Sequence, residues 1–190
     1  MKTPSILFLG DSLTYGYNVS SNDSFPSIIG KKLNRKFVSK KIKIINAGVP
    51  GDTTKMALLR LDSYLKNYFI VMGVIFLGAN DYLLQENTEN IYHNLKEIIH
   101  KLKNHHKIKI LLIEFLPFQE YQRKEFKGIY EKLKIDFPDI VLIPDVMEEI
   151  IQNPELVLDD GIHPNEKGYQ IIANKIYPFI EKELSNVLSY

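Results

Sequence analysis

The chain has 190 residues, 45% of them hydrophobic and 25% charged, with a formal net charge of +1. That composition fits one globular domain over residues 1–190 and excludes collagenous, disordered and strongly charged chains. The absence of cysteine excludes disulfides, thiolate catalysis and zinc–thiolate sites.

The first apolar run, Ile6–Leu9, predicts a buried strand. It ends in Gly-Asp and is too short for a secretory h-region, and no run reaches the ~20 apolar residues of a membrane span. The chain as written is therefore expected in the cytoplasm, or in the periplasm or outside the cell if a leader was removed. Directly after the strand comes GDSLT (Gly10–Thr14). Ser12 has two readings there. Serine is a common helix N-cap. At a strand-to-helix turn its hydroxyl is also exposed and its N–H unpaired, which suits nucleophilic attack and anion binding together. The elbow pattern G-x-S-x-G does not occur at Ser12, so this is not an ordinary α/β-hydrolase nucleophile.

Ser24 is placed to cap a helix with Pro26 in its first turn and Ile29, Leu33 and Phe37 at intervals of four. The basic stretch Lys31–Lys43 lacks repeated aromatic interleaving and reads as a solvated helix end, so no nucleic-acid partner is expected. The second strand, Ile42–Ile45, leads into NAGVPGDTT (Asn46–Thr54), where Gly51 lets backbone N–H approach a substrate and Asp52 is placed to cap the next helix. The third strand, Ile70–Leu77, leads into GANDYL, where Asn80 offers a side-chain NH₂. Asp81 reads as a cap or brace of that loop, and Asp11 likewise as a supporting group. A helix from Thr88 carries Ile91, Leu95, Ile98 and Leu102 on one stripe; His93 and His100 lie off that stripe and read as surface residues.

His105 and His106 precede the fourth strand, Ile108–Ile113, at the end of the sheet away from these loops. No metal site is expected, since catalytic zinc needs about three converging N/O ligands. A helix over Gln119–Phe137, a strand at Ile140–Ile143 and a long connection bring the chain to DDGIHPN (Asp159–Asn165). A serine nucleophile needs a base, and the base needs a group that fixes its tautomer. Asp160 and His163 sit on one turn at the required D-x-x-H spacing, with Asp159 as the second choice of carboxylate. Asn165 fills the capping role for the last helix, which includes Pro178 as a candidate kink. Strands alternating with helices predict an α/β doubly wound sandwich with all four polar blocks on one rim.

These blocks, in this order, resemble the SGNH, or GDSL, hydrolase family, nearest its bacterial arylesterase, thioesterase and lysophospholipase subgroup. The resemblance spans residue 6 to about residue 182. It implies a three-layer α/β/α, flavodoxin-like fold with a five-stranded parallel sheet in the order 2-1-3-4-5. It also implies a triad of Ser12, Asp160 and His163, with Ser12, Gly51 (rather than Gly48) and Asn80 as oxyanion donors. Ala79 departs from the family, standing where many members have a second glycine. The activity implied is hydrolysis of short- to medium-chain acyl or aryl esters through an acyl-serine, with thioesters and lysophospholipids as further substrates. No cofactor is implied. Tyr82, Leu83, Phe115 and Phe118 are the loop residues expected to meet the substrate; packing over the core is the alternative for half of them. A monomer or weak oligomer is expected. Two rival readings are a carbohydrate O-acetylesterase of the same family and a non-catalytic flavodoxin-like binding module. Neither a P-loop nor G-x-G-x-x-G occurs to support the second.

Overall fold

In the computed structural model, which describes residues 3–189, the first apolar run forms β1 (Ser5–Gly10), buried along its whole length. Side chains alternate across a strand, and both faces of this one are apolar. Ile6 and Phe8 join the core on one side of the sheet, Leu7 and Leu9 the core on the other. The remaining strands are β2 (Lys43–Gly48), β3 (Ile70–Phe76), β4 (Lys109–Ile113) and β5 (Val141–Ile143). They form one parallel sheet in the order β2-β1-β3-β4-β5, the expected doubly wound arrangement. Only the inner strands carry the burial on both faces that continuous apolar runs predict. β2 and β5 are edge strands with partly exposed residues.

The helices are α1 (Ser12–Tyr15), α2 (Phe25–Lys36), α3 (Thr54–Asn67), α4 (Ala79–Leu83), α5 (Thr88–His105), α6 (Glu120–Asp136), α7 (Glu148–Ile151) and α8 (Glu166–Leu188). α2 and α8 cover one face, packing Ile29, Leu33, Ile172 and Ile176 on Phe8, Met72 and Val74. α3, α5 and α6 cover the other, packing Leu61, Leu95, Ile98 and Leu133 on Leu7, Leu9 and Leu112. Burial of these stripes is what holds the helices to the sheet.

Several local expectations change. β2 runs on through Asn46, Ala47 and Gly48, so the first third of the second polar block is strand. The cap of α3 is Thr53, whose side chain accepts from Met56 N–H; Asp52 is instead paired with Arg60. Ser24 holds the N-cap position of α2 without a capping bond, because its hydroxyl donates to the Ser21 carbonyl. The helix expected from Thr88 does begin there, with Asn87 as its cap, and α8 contains Pro178 within its length.

Gly10, at the end of β1, is required by space. A Cβ there would lie 2.0 Å from Thr14 Oγ1 and 2.8 Å from the Phe76 carbonyl oxygen. Gly10→Ala is therefore expected to destabilise the fold by roughly 1–3 kcal/mol, read as a fall in Tm of about 2–4 °C per kcal/mol at this chain length. Thr14→Ala in the same background should recover part of the loss, since it clears the nearest clash. An unchanged Tm for Gly10→Ala would show that the turn relaxes freely.

Candidate active site

The register of the sheet assembles the site. Gly10 pairs with Gly48 on one side and with Phe76 on the other, so the polar segments after β1, β2 and β3 leave the sheet at one level. This is the carboxyl-end rim at the topological switch point.

Asp11, not Ser12, caps α1: its Oδ1 accepts from Leu13 N–H at 2.9 Å. Ser12 becomes the first helical residue, with an amide that has no partner within the helix and a hydroxyl free of capping duty. That hydroxyl lies 2.9 Å from His163 Nε2. His163 Nδ1 lies 2.7 Å from Asp160 Oδ2, and Asp160 Oδ1 accepts from the N–H groups of Ile162 and His163, each at 2.9 Å. Partial burial works against ionisation of Asp160. The two N–H donors and the His163 ring outweigh it and hold the carboxyl below the usual carboxylate range. An ionised carboxylate only accepts, so Nδ1 carries the ring proton and Nε2 is left to accept from the Ser12 O–H. Asp159, the alternative carboxylate, makes no such contact among the described residues.

The turn that delivers His163 is held by main-chain bonds. Leu158 N–H donates to the His163 carbonyl and Gly161 N–H to the Leu158 carbonyl, while Val157 and Pro164 form an isolated antiparallel bridge. Asn165 caps α8 through Gly168 N–H, and its NH₂ donates to the Glu155 carbonyl at 2.9 Å. The connection between β5 and α8, with α7 inside it, therefore returns to the rim with a fixed end. The Tyr17 ring lies against the His163 imidazole, with centroids 4.6 Å apart. Sequence reasoning missed Tyr17, for which the chain offers no local pattern.

Gly51 has φ +86°, the left-handed region that favours glycine. Asn80 Nδ2 donates to the Asp52 carbonyl at 2.9 Å and keeps a second hydrogen, for which Asp11 Oδ2 at 3.5 Å is a distant acceptor. Asp81 braces the neighbouring loop, as its position suggested: its carboxylate accepts from Thr54 N–H at 2.9 Å and from the Thr54 hydroxyl at 2.6 Å. Asn46 adds a tie that the sequence did not reveal. Its Oδ1 accepts from Gly48 N–H, and its NH₂ donates to the Thr14 carbonyl.

Ser12, Gly51, Asn80 and His163 line one cavity of about 230 Å³, whose other walls are largely apolar. Leu83 and Phe115 are there as expected. Tyr17, Pro50 and Ala79 also line it, as do Leu13, Met147, Ile151 and Ile162. The last three come from the β5–α8 connection, which the sequence left without structure. Tyr82 lies beside this cavity in a separate groove with Gln119 and Glu125, its ring 6.1 Å from that of Phe115. Phe118 is 52% exposed and lines neither space. His105 and His106 border grooves with Ser5, Phe69 and Lys107 at the opposite end of the sheet. Among the described residues no three His, Asp or Glu side chains converge as metal ligands would, and no helix is long and apolar enough to cross a membrane.

Burial is the main force on the Asp11 carboxyl, which is 1% exposed. Opposed by Leu13 N–H and reinforced by the charges of Asp81 and Asp52, it pushes the carboxyl up to about 7. The shift is upward, so the stability associated with this group is fully present below its ordinary value of 3.8 and is lost as pH climbs through about 7. Asp11→Asn keeps an oxygen for Leu13 N–H and cannot ionise. The Tm of Asp11→Asn relative to wild type is therefore expected to rise between about pH 5 and about pH 8. A difference that stays flat over that window would mean that Asp11 titrates as an ordinary carboxyl.

The chain is similar to known proteins in sequence and in structure. Residues 8–171 match the GDSL-like Lipase/Acylhydrolase family. The chain is 34% identical over 172 residues to Thioesterase 1/protease 1/lysophospholipase L1 of Escherichia coli (strain K12), covering 90% of this chain and 80% of that one. It is 32% identical over 181 residues to an arylesterase of Vibrio mimicus, covering 94% and 87%. Among solved structures, the psychrotrophic esterase EstA of Pseudoalteromonas sp. superposes with a TM-score of 0.86 at 28% identity, over 95% of this chain and 98% of that one. The chain belongs to the GDSL-like lipase/acylhydrolase family of ester hydrolases.

Proposed function

We propose that this ester hydrolase uses Ser12 as its nucleophile, His163 as general base and acid, and Asp160 as the group that holds the imidazole. The observation that carries the reading is the Ser12–His163–Asp160 relay, at 2.9 and 2.7 Å, opening on an apolar cavity. The Ser12 Oγ–H proton passes to Nε2 as Oγ bonds the carbonyl carbon. The imidazolium beside Asp160 then returns that proton to the leaving alcohol as the ester C–O bond breaks. Water, deprotonated by the same nitrogen, attacks the acyl-serine and releases the acid.

The tetrahedral oxygen is assigned to three donors: the amides of Ser12 and Gly51 and the free N–H of Asn80. They come from three strand ends that the sheet holds level, so little reorganisation is needed when charge develops. Asp11 and Asp81 support that arrangement from behind, as cap and brace. All these groups belong to one chain, which suits a monomer.

The cavity supports a preference for short acyl chains. At about 230 Å³ it is smaller than the ~300–1,000 Å³ that holds a drug-sized ligand. Its walls of Leu13, Phe115, Met147, Ile151 and Ile162 suit a short acyl chain better than a sugar, whose hydroxyls would go unpaired. That disfavours the carbohydrate O-acetylesterase. A longer chain, including that of a thioester or lysophospholipid, would have to run out past Leu83, which is 65% exposed.

The test is hydrolysis of p-nitrophenyl acetate, butyrate and octanoate. Ser12→Ala is expected to fall to background on all three, and wild type to prefer butyrate to octanoate in kcat/KM. Equal activity in wild type and Ser12→Ala would leave Ser12 a structural residue and overturn the mechanism. Asn80→Ala is expected to lower kcat by ~10²–10³; a change confined to KM would place Asn80 in ground-state binding instead.

A further inference from the structure

Behind the cavity lies one cation that the mechanism does not use. Arg60, on α3, is largely covered, with its side chain 21% exposed. Its Nε donates to Asp52 Oδ2 at 2.6 Å. Its Nη2 donates to two main-chain carbonyls, Gly10 at 3.0 Å and Ala47 at 2.8 Å. Its Nη1 lies 3.3 Å from the Tyr64 hydroxyl. A planar fork of fixed donors suits a bridge among such acceptors, and a lysine ammonium, a point charge on a flexible stem, does not.

Those acceptors are not scattered. Gly10 is the last residue of β1, two before Ser12. Ala47 lies in β2, just before the turn that carries Gly51. Asp52 follows Gly51, and its main-chain carbonyl is the group that receives the Asn80 amide. One guanidinium thus ties the bases of the first two donor segments together and holds Asp52, the residue whose main-chain carbonyl receives the Asn80 amide of the third. Gly10 O also accepts from Val49 N–H at 3.1 Å, which joins β1 to the second loop at the same point.

We propose that Arg60 is a positioning residue for the oxyanion donors: it sets the distance between the Ser12 turn and the Gly51 loop and, through the Asp52 carbonyl, aims the Asn80 amide. The inference rests on the assignment of those donors made above. An oxyanion hole is worth its full effect only if the donors are held where the charge will appear. Loosening them therefore weakens the transition state more than the ground state.

The experiment compares wild type, Arg60→Ala and Arg60→Lys on p-nitrophenyl butyrate. Arg60→Ala is expected to lose roughly 10- to 100-fold in kcat, with KM nearly unchanged. Millimolar guanidinium should restore part of the loss where sodium chloride does not, and Arg60→Lys should recover little. In an Asn80→Ala background the same change is expected to cost less than in wild type, because the part of its effect that runs through Asn80 is already lost while the Ser12–Gly51 part remains. A readout free of catalysis is the ¹⁵N–¹H signal of the Asn80 side-chain amide, which should shift or broaden in Arg60→Ala. If Tm falls while kcat and the Asn80 signal hold, Arg60 is only a structural ion pair and the proposal is wrong; losses that multiply in full, with an unmoved Asn80 signal, would overturn the link from Arg60 to Asn80. If wild type itself is inactive on esters, the functional reading fails, and the Asn80 signal still decides whether Arg60 places that side chain.

Discussion

Parallel pairing of β1 with both β2 and β3 is the constraint on which the site depends. It sets Gly10 level with Gly48 and Phe76, so three loops with no sequence proximity begin at one height on one rim. Because the inner strands are buried on both faces, shifting one of them by one residue would send each of its side chains into the opposite core and break the packing in both. The hydrophobic cores on either side of the sheet therefore hold the spacing of polar atoms at its edge. Packing energy, spread over many side chains, is converted into positional precision at a few donors.

The rim is also electrostatically costly. Asp11, Asp52 and Asp81 are all buried there, and like charges in a poorly solvated space oppose one another's ionisation. The three are satisfied in different ways. Asp81 is bound by the N–H and hydroxyl of Thr54, Asp52 by the Arg60 guanidinium, and Asp11 by Leu13 N–H. Asp11 has the least compensation and shows the large upward shift. A polar cluster of this kind adds little net stability, since desolvation offsets what the pairs gain. Its effect is on geometry: Asp81 joins the third segment to the second, and Arg60, held by Asp52, joins the second to the first.

Much of this was legible in the chain. The sheet order followed from the resemblance, and the strands from continuous apolar runs. Ser12, Asp160 and His163 stood out because each is polar where a plain turn needs only glycine. What the sequence hid was which neighbour performs which local task. The cap of α1 is Asp11 rather than Ser12, and the cap of α3 is Thr53 rather than Asp52. In both cases adjacent residues have equivalent capping chemistry, and tertiary partners choose between them: His163 claims the Ser12 hydroxyl, Arg60 claims the Asp52 carboxylate. Met147, Ile151 and Ile162 were also hidden, because a residue that lines a cavity from an irregular connection has no periodicity to betray it. Phe118 and Tyr82 show the converse, as aromatic residues close in sequence to the rim that the local turns direct elsewhere.

The division of labour between the two halves of the rim follows from how each is built. The donors assigned to the oxyanion sit on strand ends, where sheet register and the Arg60 bridge leave little freedom. His163 arrives on a separate turn fixed by Asn165, by the Asp160 carboxylate and by bonds within the turn itself. That turn also carries Ile162 into the cavity beside Met147 and Ile151. The residue proposed to move the proton and several of the residues that enclose the acyl group therefore belong to one connection, between β5 and α8. On the proposed reading, a change at Ile162 alters a residue of the turn that Asp160 holds beside His163, whereas Leu13 and Phe115 lie outside that turn. On that reading acyl specificity is accordingly coupled to catalysis through Ile162, the neighbour of His163 in the chain, and independent of it at Leu13 and Phe115.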